Sequence, residues 1–267
     1  MKVPEGSVVR PADGGDLWVG TSWKMTKTLG QAGEYARGLT EHLGGSAPSG
    51  VRPFIIPSFT ALDTVRRELG PDSPVTLGAQ NAHWAHEGAW TGEVSVVQVA
   101  DAGARLVEIG HSERREHFGD TDETVRMKVA ATLELGLTPL LCIGESEEVK
   151  ADGGSTNHIL GQATRALDGL AGDDLARVLI AYEPIWAIGE HGRPATTEEL
   201  AEPFAALDRE YGTTVSGLLY GGSVTLDNAA DLLGIDGVGG LFVGRTAWEL
   251  SGYLRLLEIA TRVAENG

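Results

Sequence analysis

The sequence predicts a closed α/β barrel, a (β/α)8 barrel forming one domain. Three observations predict it. Short apolar, β-prone runs recur eight times along 267 residues, and most are followed by a longer amphipathic stretch. That alternation builds a parallel sheet with helical crossovers. The strand runs are nearly unbroken rather than alternating, as strands covered on both faces should be. The length of 267 residues is also close to the roughly 250 typical of an eight-stranded barrel, and no break marks a second domain.

Residues 1–16 have no apolar stretch and carry Pro4, Pro11, Gly14 and Gly15, so they read as a loose tail before a barrel domain over 17–267. The strands fall at 17–20, 54–56, 76–79, 106–109, 138–142, 178–182, 217–220 and 240–243. A helix is expected over 30–43, where Tyr35, Leu39 and Leu43 recur at four-residue spacing, and another over 58–69 with Leu62, Val65 and Leu69. The segment 122–135 opens with acidic residues, which favour a helix N-terminus. Thr196 and Glu199 have the spacing of a capping box that starts a helix towards Tyr211. Helices over 225–233 and 246–265 complete the set. The glycine-bearing segment 44–50 is a loop, not a linker, and no low-complexity tract or repeat is visible.

Composition narrows the partners. The net charge of −17, from 21 basic and 38 acidic residues, disfavours nucleic acid and anionic membrane surfaces. An anionic substrate would need a locally positive site or one built from backbone N–H groups. The single Cys142 allows no internal disulfide and suits a reducing, cytoplasmic compartment. No signal peptide is visible, and apolar runs such as 139–143 are far too short to span a bilayer.

In such a barrel the chemistry sits at the C-terminal ends of the strands. The most informative stretch is Ala181-Tyr182-Glu183-Pro184-Ile185-Trp186-Ala187-Ile188-Gly189. A β run ends there in a carboxylate, a proline restricts how the chain leaves, and an apolar loop follows that closes on glycine. This is the profile of a general base under a lid, whose closure would dry the carboxylate and raise its basicity; an ordinary surface loop is the plainer alternative. His111 ends the fourth strand, opposite Glu183 in a barrel, which favours an acid–base or electrophilic role over a structural one. Glu113 is expected to orient the site, with Arg114 and Arg115 structural. Lys24 at the mouth of the first strand offers a fixed positive charge to an anionic substrate. Gly221-Gly222-Ser223 and Gly244-Arg245 end the last two strands, where glycine turns let backbone N–H groups approach a phosphate. A carboxylate base, a histidine, a lysine and a phosphate cradle suit proton abstraction beside the carbonyl of a small phosphorylated sugar. No step of that chemistry calls for a metal or redox cofactor, so none is expected.

The segments Trp23-Lys24-Met25, Gly78-Ala79-Gln80-Asn81, Thr91-Gly92-Glu93-Val94-Ser95, Gly110-His111-Ser112-Glu113-Arg114-Arg115, Leu141-Cys142-Ile143-Gly144-Glu145 and Tyr220-Gly221-Gly222-Ser223-Val224, with the Glu183 stretch, resemble triosephosphate isomerase in kind and order from Trp18 to about Tyr253. The resemblance implies a TIM barrel with Glu183 as base, His111 as neutral electrophile and Lys24 as the electrostatic residue. It implies phosphate contacts at Gly189, Ser223, Gly244 and the backbone of Arg245. Residues 88–92 resemble a loop that docks into a partner subunit, implying a homodimer in which Thr91 supports the neighbour's site.

Several positions depart from the family pattern. Ser22 stands where asparagine is usual, facing substrate, and Arg245 replaces the second glycine of the last phosphate turn. The lid segment 189–194 is one residue longer than usual, and Val96 and Gln98 replace a proline-plus-hydrophobe pattern. Ser22 is smaller than asparagine and leaves room near the carbonyl end, while the Arg245 side chain is a cation for a hydroxyl or the phosphate. With the segments 21–25 and 244–248, these features resemble a divergent branch that interconverts L-erythrulose 1-phosphate and D-erythrulose 4-phosphate. Three readings stand: that isomerase, a triosephosphate isomerase that tolerates Ser22, and a catalytically silent sugar-phosphate-binding barrel. An aldolase would need a Schiff-base lysine within a strand or a metal site, and neither is evident.

Overall fold

Eight parallel strands pair in sequence order and close the first on the eighth in the computed structural model, which describes residues 15–189 and 192–266. They are β1 (Leu17–Ser22), β2 (Val51–Ile56), β3 (Thr76–Ala79), β4 (Leu106–Ile109), β5 (Thr138–Ile143), β6 (Leu179–Tyr182), β7 (Gly217–Tyr220) and β8 (Gly240–Val243). The predicted barrel and all eight strands are therefore present. Most of the predicted tail, and Glu190 and His191 of the lid, lie outside the described residues.

The barrel holds two cores. Inside the sheet, Trp18, Phe54, Ile56, Leu106, Leu140 and Phe242 fill the lumen with their neighbours. A second, larger core lies between sheet and helices, with Val19, Ile55, Val107 and Ile180 on the outward faces of the same strands. Strand side chains alternate between faces, so one apolar run feeds both cores. The C-terminal helix, Leu250–Asn266, locks onto this frame: the buried Tyr253 hydroxyl donates toward Val19 O at 3.0 Å and Phe54 O at 3.1 Å. Burying its ring contributes about 1.5–3 kcal/mol, and the two carbonyls satisfy its hydroxyl.

Local signals fix the helix starts. Thr196 and Glu199 form the expected capping box ahead of the helix Thr197–Tyr211. A second box, Thr28 with Gln31, starts the helix Leu29–Leu43. The predicted helix 58–69 is a 3₁₀ turn, Phe59–Ala61, leading into Leu62–Leu69. The helices predicted from 225 and 246 begin later, as Ala229–Leu233 and Leu250–Asn266; a 3₁₀ turn, Arg245–Ala247, occupies the end of β8. The helices Val96–Asp101 and Ser155–Leu167 were not anticipated. The second contains Gly161 and several weak helix formers, and it holds through burial of Ile159, Ala163 and Ala166. Strand β1 also runs two residues further than predicted, because Ser22 still pairs in register with Ile56 of β2. Ser22 is thus a buried strand residue at the barrel mouth, not a loop residue.

Candidate active site

Glu183 follows β6 directly, and its backbone N–H donates to Ile143 O at 2.7 Å, so the sheet fixes its position. Glycines make room for it. A β-carbon at Gly144 would lie 2.0 Å from the Glu183 carbonyl oxygen, and one at Gly221 would lie 2.6 Å from Glu183 Cγ. The carboxyl is almost fully buried and its Oε2 has no hydrogen-bond partner. Burial pushes its pKa up to about 8, with the nearby Glu108 adding to the rise and the adjacent Cys142 thiol opposing it.

His111 ends β4 and caps the short helix Ser112–His117, where its Nδ1 accepts the Glu113 backbone N–H at 3.2 Å. With Nδ1 occupied as acceptor, the neutral ring carries its proton on Nε2. That nitrogen lies 3.9 Å from Glu183 Oε1. Burial, reinforced by the Lys24 charge, holds the His111 pKa down at about 4, so the imidazole is neutral at pH 7. The sequence expectation that His111 and Glu183 face one another is met.

Lys24 Nζ lies 2.6 Å from Glu113 Oε1, and Glu113 Oε2 lies 3.7 Å from His111 Nδ1. Glu113 therefore pairs with Lys24 beside the His111 ring, and the Lys24 hydrogen bond helps hold its carboxyl below the usual range despite burial. Lys24 itself adopts φ +50°, an uncommon backbone state for a residue other than glycine. Gln80 supports that conformation by donating from Nε2 to Lys24 O at 2.8 Å. Arg114 and Arg115 turn away: Arg114 pairs with Asp120 at 3.1 Å, and Arg115 bonds Gly110 O and Asp122, both at 2.8 Å. They are structural, as expected.

Ser22, Lys24, His111, Glu113 and Glu183 line one cavity of about 670 Å³ together with Gly189, Ser223, Gly244 and Arg245. The last four form its rim, tied together across three loops. Ser223 Oγ donates to Ala187 O at 2.7 Å, Arg245 Nη2 donates to Gly189 O at 2.9 Å, and Thr246 Oγ1 donates to Val224 O at 2.6 Å. The Arg245 guanidinium thus spends one donor on the lid rather than pointing only at the cavity. Thr91 is the exception among the predicted site residues. It is exposed on the loop after β3 and does not line this chain's cavity.

Three groups escaped the sequence reading. Cys142 lies against Glu183. Glu145 is buried and gathers Ser155 Oγ at 3.2 Å, the Tyr182 hydroxyl at 3.1 Å and Trp186 Nε1 at 2.9 Å, fastening the base of the lid. Glu108 sits within β4, and its only signal was an acidic residue inside an otherwise apolar four-residue run.

Comparison with known proteins settles the family. The model of the family described as triosephosphate isomerase matches residues 17–260. The chain belongs to the triosephosphate isomerase family. It is an isomerase. Within the family it is 68% identical, over 91% of this chain and 93% of the relative, to a protein of Mycolicibacterium smegmatis named L-erythrulose-1-phosphate isomerase. Proteins of the same name from Rhizobium etli and Mesorhizobium japonicum are 47% and 45% identical, each over 90% of this chain and over 91% and 95% of their own lengths.

Proposed function

We propose that the chain isomerises L-erythrulose 1-phosphate to D-erythrulose 4-phosphate through an enediolate. One observation carries the reading: a buried carboxylate, a neutral imidazole and a lysine face one cavity, in a chain whose similar curated relatives bear that enzyme's name. Lys24 and the turns at Gly189, Ser223, Gly244 and Arg245 hold the phosphate end. Glu183 removes the proton from C3, the carbon that bears the hydroxyl beside the C2 carbonyl. His111 donates from Nε2 to the carbonyl oxygen as charge develops there. The protonated Glu183 then returns a proton to C2, a hydroxyl proton moves between the two oxygens, and the carbonyl stands at C3. Renumbered from the other end, the product is the 4-phosphate. The lid protects the enediolate, which in water would lose phosphate.

Ser22 supports the four-carbon substrate over the three-carbon one, because a small side chain at that wall leaves space for an additional hydroxymethyl group. The enzyme is read as a cytoplasmic homodimer. Met25, Trp90 and Phe118 are exposed apolar side chains, at 98%, 51% and 67%, in the segments after β1, β3 and β4, and such side chains support contact with a partner. Thr91 lies on the same projecting loop as Trp90 and would reach the partner's site. Comparing kcat/KM for L-erythrulose 1-phosphate, dihydroxyacetone phosphate and glyceraldehyde 3-phosphate on one preparation tests the substrate. The four-carbon compound is expected to be preferred, and preference for the three-carbon pair makes the chain a triosephosphate isomerase. Phosphate binding without turnover of any of them identifies a silent barrel.

A further inference from the structure

Trp248 takes no part in the mechanism above. It follows the 3₁₀ turn Arg245–Ala247 at the end of β8, is half-buried, and lines the same cavity as Ser22, Lys24 and Glu183. Its indole Nε1 donates to Ser22 O at 2.9 Å, so the ring stands against the last residue of β1. The backbone around it is pinned as well. Lys27 Nζ donates to Trp248 O at 2.5 Å, the Trp248 N–H donates to Arg245 O at 3.1 Å, and the Tyr35 hydroxyl donates to Ala247 O at 2.8 Å. Lys27 makes its bond from a left-handed backbone, φ +68°, with its ammonium 5.3 Å and 5.1 Å from the ring centres of Trp23 and Tyr35. A residue other than glycine keeps that conformation where its surroundings hold it. An aromatic ring fixed in this way has little freedom left to lose when a ligand packs against it.

The chemistry this ring offers is narrow. An indole has one hydrogen-bond donor and no acceptor, and that donor is committed to Ser22. What it presents to the cavity is carbon. Phe242 also lines the cavity, but it belongs to the lumen, where it stacks on Phe54 with ring centres 5.9 Å apart. Trp248 is the aromatic wall on the Ser22 side. The four-carbon ketose carries a hydroxymethyl group where the three-carbon substrate carries only a hydrogen. In the function proposed above that group fits at the Ser22 wall, which the Trp248 indole continues. We propose that Trp248 is a specificity-determining residue: its indole packs against the terminal methylene of the four-carbon substrate, a group the three-carbon substrate lacks. The assignment rests on that proposed function.

The test measures kcat/KM for L-erythrulose 1-phosphate and dihydroxyacetone phosphate in wild type, Trp248→Ala, Trp248→Leu and Trp248→Phe. One methylene in an apolar pocket is worth about tenfold or more in kcat/KM. Trp248→Ala is therefore expected to lower the four-carbon to three-carbon ratio by about tenfold, mainly through KM for the four-carbon substrate. Trp248→Phe keeps an apolar ring and loses the bond to Ser22, and it should hold the ratio within about twofold of wild type. A ratio that falls as far in Trp248→Phe as in Trp248→Ala overturns the packing role. Equal losses on both substrates, or an unchanged ratio, in Trp248→Ala overturn the proposal. If that variant does not fold, Trp248→Leu takes its place, with an expected fall of about fivefold; an unchanged ratio there overturns the proposal. Wild-type enzyme that turns over only the three-carbon substrate overturns the function itself and this proposal with it, a result read before any variant is made.

Discussion

At the scale of single residues, the site separates two ionisable groups by their surroundings. Burial pushes Glu183 up to about 8 and His111 down to about 4, so the imidazole is a neutral donor throughout the neutral range while the carboxyl ionises only as the pH approaches 8. The proposed mechanism requires the ionised base. The acid limb of kcat/KM should therefore lie near pH 8 rather than near 4.5, and a pH–rate profile checks this. The same raised pKa works against stability. The folded state holds the Glu183 proton more tightly than the unfolded chain, so stability falls as pH rises from about 4.5 through about 8. Glu183→Gln removes that linkage, and thermal unfolding at pH 9 should show the variant more stable than wild type by on the order of 1 kcal/mol or more. Gly221→Ala would press a methyl group against Glu183 Cγ. It should lower kcat by about tenfold to a hundredfold with a smaller change in KM, because sub-ångström misplacement of a base costs rate.

At the scale of elements, the lid is held from both ends of its described portion. Glu145 fixes Trp186 at its base, and Arg245 bonds Gly189 at its tip. Arg245→Ala should raise KM for the sugar phosphate by about threefold to tenfold while leaving the pH profile unchanged, since one exposed hydrogen bond contributes about 1 kcal/mol. Steady-state kinetics across pH would show both. How legible each element was follows from its physics. The strands were legible because apolar β-prone runs bounded by loops have few other uses. The capping box at Thr196 was legible because its chemistry is local. The helix Ser155–Leu167 was not, since neighbours rather than intrinsic preference stabilise it. Among site residues, Glu183, His111, Lys24 and Glu113 stood at strand ends, where position alone marks them. Ser22 was legible by type but misplaced by element, because strand pairing with Ile56 extends β1 past its apolar run. Glu108 lay hidden inside a strand, where one acidic residue in an apolar run does not reveal that it faces the barrel lumen.

At the scale of the whole molecule, a protein of net charge −17 must bind an anion against its own field. In the proposed function, Lys24 and the backbone N–H groups of the last two turns supply the local positive potential this requires. The exposed apolar side chains after β1, β3 and β4 call for a covering surface, and sedimentation should find a dimer. Trp90→Asp should shift the chain towards monomer and lower kcat, if Thr91 of one subunit supports the other's site. The central claim is that a desolvated Glu183 takes a carbon-bound proton while His111 steadies the neighbouring oxygen. The most direct test is kcat/KM of Glu183→Gln on L-erythrulose 1-phosphate, with its fold verified by thermal unfolding. The account predicts a loss of about a hundredfold to ten-thousandfold; turnover within a few-fold of wild type would contradict it.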